Sequence, residues 1–212
     1  MTPRRPAGAD AEFAPPPDAH RPRGLYIDAI KPLCDFLGAV ALLLLLGPFM
    51  IATAIAVKLD SPGPALFVQD RVGRGGRLFR IYKFRSMRTD QSGPVLTQVG
   101  DTRITRIGRF IRRTSLDEFP QLFNILKGEM SFIGPRPEVP SIVASDYTAE
   151  MKGALTVRPG LSGWAQIHGR DDLPVPQKLA YDLEYVRRVS PLLDLRICLL
   201  TPGFLLSGRG IK

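Results

Sequence analysis

Cysteine and histidine are nearly absent from this 212-residue chain, with two of each, and the shortage closes several routes at once. Cys34, inside an apolar run, and Cys198, in an aliphatic stretch, cannot build a disulfide framework. Each is therefore expected to be a small buried hydrophobe, and the soluble part fits a reducing cytosol. His20 and His168 stand too far apart in sequence for close-spaced zinc ligation, which leaves oxygen ligands, and so magnesium, for any metal. Acidic residues are also in short supply. Twenty Asp and Glu against 29 Lys and Arg give a formal net charge of +9, which calls for an anionic partner: nucleic acid, an acidic membrane surface or a phosphorylated substrate. No internal repeat divides the chain, and its length asks for one domain with appendages.

What the chain does have is a run of 22 residues without charge, from Phe36 to Val57, enough to span a hydrocarbon core as one helix. A cleaved secretory signal fits less well, because the run starts late and meets Lys58 and Asp60 instead of a small-residue cleavage pattern. Basic residues flank both ends, Arg21, Arg23 and Lys31 before and Lys58, Arg71 and Arg74 after, and positive flanks stay cytoplasmic. Gly47 and Pro48 interrupt the centre, where proline removes a backbone donor and bends the helix. Two topologies follow: a helix-break-helix hairpin that enters one leaflet and returns, or a kinked helix that spans. Residues 1–24, with six prolines, read as a disordered tail. Residues 25–60 then form the membrane segment and 61–212 a cytosolic domain.

Within that domain, Ser61-Pro62-Gly63-Pro64 is a turn cluster, and Ala65–Gln69 and Leu78–Phe84 alternate as short strands around Gly73–Gly76. Ile104, Ile107 and Ile111 recur at helical spacing among arginines, so 102–113 is expected to be an amphipathic helix. Ser115 with Glu118 three residues on is a capping box, predicting a second helix that stops near Gly128. Further helices are expected over 139–152 and 175–189. The predicted fold class is α+β: the membrane segment plus a small, mainly helical domain with short strands and amphipathic interfacial helices.

Between Arg71 and Arg113 stand twelve Lys or Arg against Asp90 and Asp101 alone. Such a stretch rests on acidic lipid headgroups or binds phosphate. Next come adjacent carboxylates, Asp117 and Glu118, expected in a first helical turn where the dipole and nearby Arg112 and Arg113 keep them ionised. An ionised carboxylate among cations can attack an electrophilic phosphorus, and its neighbour can hold a hard divalent ion; simple helix capping accounts for an isolated SLDE equally well. Gly134-Pro135-Arg136-Pro137 presents an arginine between rigid prolines, either for phosphate recognition or as a tight turn. In Lys83-Phe84-Arg85-Ser86-Met87, alternate cations share one strand face, which alone indicates no more than a wet surface.

Taken in order, the blocks DSPGPALFVQDRVGRGG, FRIYKFRSM, RITRIGRFIRRTSLDEFPQLFNILKGEMSFIGPRP, VRPGLSGWAQIHGR and YDLEYV resemble the bacterial sugar transferase family, the monotopic phosphoglycosyl transferases that act on undecaprenyl phosphate. The resemblance runs from about Lys31 to the C-terminus. It implies that Asp117 is the nucleophile and Glu118 its partner in a catalytic dyad that holds Mg2+. It further implies that Lys83, Arg85, Arg112, Arg136 and Asp182 bind substrate, that Pro135 and Pro137 form the nucleotide-associated PRP turn, and that Gly47-Pro48 marks a re-entrant membrane helix. The implied reaction takes a sugar 1-phosphate from a UDP-sugar onto undecaprenyl phosphate through a covalent aspartyl intermediate, releasing UMP and starting glycoconjugate assembly. The implied place is the cytosolic face of the bacterial inner membrane, against lipid, with both termini cytoplasmic and no nucleic acid; self-association as a homodimer stays open. Phe119 stands where the family more often has leucine, and Ser162 where threonine is usual; neither removes a reacting group. The chain resembles the family's short form. A membrane-tethered nucleic-acid-binding protein is the competing reading, but the scattered arginines form no recognised motif. An inactive scaffold would not need the intact dyad.

Overall fold

Helices dominate an α+β architecture in which two small sheets hold the loops that matter. A computed structural model describes residues 9–88, 101–169 and 172–206; Asp90 lies outside them. The elements are α1 (Ala9–Glu12), a π-helical turn (Tyr26–Ile30) leading into α2 (Lys31–Asp60), β1 (Leu66–Val72), β2 (Leu78–Phe84) and α3 (Arg106–Arg113). A 3₁₀ segment (Leu116–Gln121) then runs into α4 (Leu122–Leu126), followed by β3 (Ser131–Ile133), α5 (Pro140–Asp146), a 3₁₀ segment (Met151–Thr156), β4 (Gly160–Ser162), α6 (Trp164–Ile167), α7 (Val175–Arg188) and α8 (Pro191–Leu206).

The break expected at Gly47-Pro48 is not seen: helix α2 continues through Pro48 as one helix from Lys31 to Asp60. Tyr26–Asp60 is long and apolar enough to cross a membrane, and only 11% of its most apolar window is buried, unlike a soluble core helix. One stripe, with Ala39, Met50 and Val57 buried and Leu43 and Ala54 partly so, packs on the globular domain. The opposite face exposes Leu37, Leu44, Leu45, Phe49 and Ile55. Both ends are fastened to the same domain. At the start, Lys31 Nζ pairs with Asp194 Oδ2 at 2.6 Å, and Asp35 Oδ1 accepts from Ser131 Oγ and Phe132 N, both at 3.1 Å. At the end, Asp60 Oδ2 accepts from Ile107 N at 2.9 Å.

The β1–β2 hairpin is antiparallel from Leu66 opposite Phe84 to Val72 opposite Leu78. At its turn Gly76 has φ +79°, and a Cβ there would stand 2.5 Å from the Phe13 carbonyl carbon. That contact belongs to the segment predicted to be a disordered tail, which around Phe13 is instead packed on the domain. Phe13 is buried with Val72, Val143 and Leu155, and Lys152 Nζ donates to Glu12 O. One aromatic anchor suffices, and average composition hides it. Cys34 and Cys198, expected to be buried, are both exposed, because each lies on the outer apolar face of its helix, three residues from exposed Leu37 and Leu195 respectively.

The other departures are local. Helix α3 starts at Arg106 because Thr105 caps it, its side chain accepting from Gly108 N. Ile104 instead bridges to Met87. The helix expected over 139–152 breaks after Asp146 and resumes as the 3₁₀ segment at Met151.

Candidate active site

The predicted capping box does not form. Ser115 has φ +55°, the one positive φ outside glycine among the described residues, and its hydroxyl caps nothing. The chain must reverse sharply after α3, and a left-handed residue does this at a cost of about 1 kcal/mol. Strain of that kind beside two carboxylates is a mark of functional sites. The helix begun there is a 3₁₀ segment carrying Asp117 and Glu118 in its first turn, continued by α4 and closed by Gly128 at φ +72°.

Asn124, fully buried, fastens this segment to β2. Its Nδ2 donates to Arg80 O at 2.7 Å, and its Oδ1 accepts from Tyr82 N at 3.2 Å. Lys83, one residue further along β2, is thereby brought against the carboxylates: Lys83 Nζ lies 3.0 Å from Glu118 Oε1. Arg136 reaches the same oxygen with Nη1 at 3.7 Å. Burial pushes the Lys83 ammonium below its ordinary value, Glu118 and Asp117 pulling it back up while Arg136 adds to the depression. Asp117 is thus within electrostatic reach of Lys83, and it is more exposed than Glu118.

The loop bearing Arg136 is held by the parallel β3–β4 pair. Gly134 N donates to Ser162 O at 2.9 Å, and Gly160 N donates to Pro135 O at 2.8 Å. The two strands approach so closely that a Cβ on Gly160 would sit 2.1 Å from Gly134 N, which is why glycine stands there. Pro135 and Pro137 are buried on either side of Arg136, and Arg71 Nη1 donates to Pro137 O at 3.1 Å. Asp182, on α7 and 3% exposed, shares a cleft with Arg136. Burial, reinforced by Glu138, pushes its carboxyl well above the ordinary 3.8, with Lys178 and Arg136 opposing.

Lys83, Asp117, Glu118, Arg136 and Asp182 are therefore assembled around one place. Arg112 stands in the last turn of α3, with its charge felt at Asp101. Arg85 is elsewhere employed. It is 3% exposed and donates to the carbonyls of Val57 (3.2 Å), Ser61 (2.6 Å) and Pro62, closing the C-terminal end of α2 instead of facing a phosphate. Alternation along KFRSM placed it beside Lys83, but β2 ends at Phe84. Sequence reading missed Asn124 and Gln166; the latter lay inside the quoted block VRPGLSGWAQIHGR without an assigned role.

Among the described residues no group of three or more His, Cys, Asp and Glu gathers as a metal cage. Magnesium asks for less, one or two carboxylates with substrate phosphates and waters completing its shell. Two adjacent hard-oxygen side chains fit that demand.

A sequence profile described as bacterial sugar transferase matches residues 26–208. The chain is 46% identical over 193 residues, 86% of its length and 45% of the relative's, to a UDP-N-acetylgalactosamine-undecaprenyl-phosphate N-acetylgalactosaminephosphotransferase of Aeromonas hydrophila. It is 44% identical over 194 residues, 84% of its length and 39% of the relative's, to a UDP-glucose:undecaprenyl-phosphate glucose-1-phosphate transferase of Xanthomonas campestris pv. campestris. Against the exopolysaccharide production protein PSS of Rhizobium leguminosarum bv. phaseoli, identity is 41% over 181 residues, 79% of this chain and 90% of that one. The chain thus spans less than half the length of the first two relatives. With a profile match over most of its residues and relatives above 40% identity, the chain belongs to the bacterial sugar transferase family.

Proposed function

We propose that this chain moves a sugar 1-phosphate from a UDP-sugar to undecaprenyl phosphate by way of Asp117. The observation that carries the reading is Glu118 set between Lys83 and Arg136, with the adjacent Asp117 in electrostatic reach of Lys83. In the first step an Asp117 carboxylate oxygen attacks the phosphorus bearing the sugar; the P–O bond to the nucleotide breaks and its electron pair leaves with UMP. In the second, a phosphate oxygen of undecaprenyl phosphate attacks the same phosphorus, the aspartyl–phosphorus bond breaks, and Asp117 returns as a carboxylate. Dividing the transfer lets one site serve a soluble donor and a lipid acceptor in turn.

Lys83 and Arg136 supply positive charge where negative charge develops on the transferring group, the electrostatic part of phosphoryl transfer. Asp117 and Glu118 would hold Mg2+ together with the donor's diphosphate, where the ion would neutralise phosphate charge. Asp182 and the PRP turn contribute to donor binding.

Helix α2 is read as re-entrant, leaving both termini on the cytosolic side of the inner membrane. This is supported by the ties of its two ends to one domain, through Lys31–Asp194 and Asp60–Ile107. A spanning helix would put about 30 Å of hydrocarbon between those ends. Exposed Leu192, Leu195 and Leu199 on α8 and Phe110 on α3 extend the apolar surface. The nucleic-acid alternative gains nothing, since Arg71, Arg85 and Arg103 of the basic stretch are engaged within the chain.

A screen of UDP-sugars with the chain in lipid nanodiscs, undecaprenyl phosphate and magnesium tests the reading. One donor should yield UMP and a lipid-linked sugar diphosphate, and Asp117→Asn should abolish both. An Asp117→Asn variant with wild-type turnover would overturn it.

A further inference from the structure

Beyond Arg136 the site continues into a cleft that is also lined by Glu138, Lys178 and Asp182. Its walls include Ala165, Val175, Leu179 and the ring of Tyr147. Gln166 lines the cleft at 6% exposure, yet neither its Oε1 nor its Nε2 has a hydrogen-bond partner within the chain. Asp182, at 3% exposure, has its Oδ1 in the same condition. Buried polar atoms left unpaired cost on the order of 1–3 kcal/mol each, and two side chains bearing that cost on one cleft indicate a ligand that completes them. Room for the amide is made by Gly163, where a Cβ would come within 2.6 Å of Gln166 Oε1 and 2.1 Å of Gly134 O. Gln166 is thereby set against the turn that carries Arg136.

The mixture of walls and polar groups selects the ligand. A pyrimidine base has two apolar faces and one polar edge, which suits a cleft where Ala165, Val175 and Leu179 stand with the unpaired polar atoms of Gln166 and Asp182. We propose that Gln166 reads the imide edge of uracil, its amide oxygen accepting from N3–H and its amide nitrogen donating to the adjacent ring carbonyl. This rests on the reading that the donor is a UDP-sugar whose phosphates meet Arg136. Asp182, whose carboxyl is pushed well above the ordinary carboxylate range by burial and by Glu138, can in its protonated form donate to the second ring carbonyl. Together the two side chains offer donor, acceptor and donor to an edge that presents acceptor, donor and acceptor. Cytosine presents acceptor, acceptor and donor, and mismatches that set.

The test is calorimetric titration of the full chain in nanodiscs with UMP, CMP and N3-methyl-UMP. Wild type should bind UMP at least about tenfold more tightly than either of the others, the equivalent of one good hydrogen bond. Gln166→Leu should lose that preference while inorganic pyrophosphate, which needs only the cations, competes as before. Equal binding of UMP and N3-methyl-UMP by wild type would overturn the inference without any variant, as would a Gln166→Leu protein that still prefers UMP. Uracil selectivity that depends on Gln166 in a protein forming no adduct on Asp117 would sustain this inference and remove the proposed mechanism instead.

Discussion

Lys83 donates a 3.0 Å hydrogen bond to Glu118 Oε1, joining two residues 35 positions apart. Burial drives the Lys83 pKa down, and the Glu118 charge is the largest influence against it.

Glu118→Gln is accordingly expected to leave Lys83 and Arg136 facing each other without their shared anion. Lys83 should lose its proton at lower pH, so the alkaline limb of the kcat/KM profile should move to lower pH. Activity should fall by roughly 10²–10³, the cost of removing one preorganised electrostatic partner. Steady-state rates across pH check both; an unmoved alkaline limb would contradict the coupling.

Arg85→Ala should act on stability. Its planar guanidinium serves three carbonyls at the end of α2, and Lys cannot copy that fork. Loss of about 3 kcal/mol or more is expected for Ala from leaving buried carbonyls unpaired, with Arg85→Lys only partly restoring it. Thermal unfolding in nanodiscs measures this. A stable Arg85→Ala protein with impaired donor binding would instead restore the phosphate role that the KFRSM motif suggests.

Much of this was legible from sequence because local rules agreed with tertiary demands. The alternation of 78–84 produced β2, Gly128 ended α4, and the helix expected over 175–189 matches α7 to within a residue of its end. Reading failed where long-range contacts overruled local ones. Ser115 looks like a cap, but the reversal after α3 forces it into a left-handed conformation. Phe13 is one aromatic among prolines, and only the hairpin turn at Gly76 explains its burial. Arg85 follows a strand whose end no periodicity could fix, and its three carbonyl partners come from a turn 23 to 28 residues earlier. Gln166 carried no local signal, since only tertiary structure turns it toward Asp182 and Arg136.

Asp182 gives a pH signature. The folded chain holds this proton above the ordinary 3.8, so the unfolded chain releases it first and stability from this group is lost as pH rises. Asparagine has no proton to lose. The melting temperature of Asp182→Asn relative to wild type should therefore rise as pH increases above the ordinary carboxylate value, while UMP release falls. A gap independent of pH would mean that Asp182 is ionised in the fold.

Lipid contact makes a prediction about thiols. Native Cys34 and Cys198, exposed on apolar helix faces, should resist a membrane-impermeant maleimide in intact bilayers from either side and react after detergent extraction. In a cysteine-free background, Arg23→Cys and Arg71→Cys should both label from the cytosolic side alone. Labelling of either from the periplasm would exclude the re-entrant topology.

Asp117 is proposed to carry the sugar phosphate as a covalent ester. Intact-protein mass spectrometry after incubation with the cognate UDP-sugar, without acceptor, should find a mass increase of one sugar phosphate, mapped by fragmentation to Asp117 and discharged on adding undecaprenyl phosphate. Stoichiometric product formation in a single turnover with no adduct at Asp117, or an adduct that the acceptor does not discharge, would contradict it.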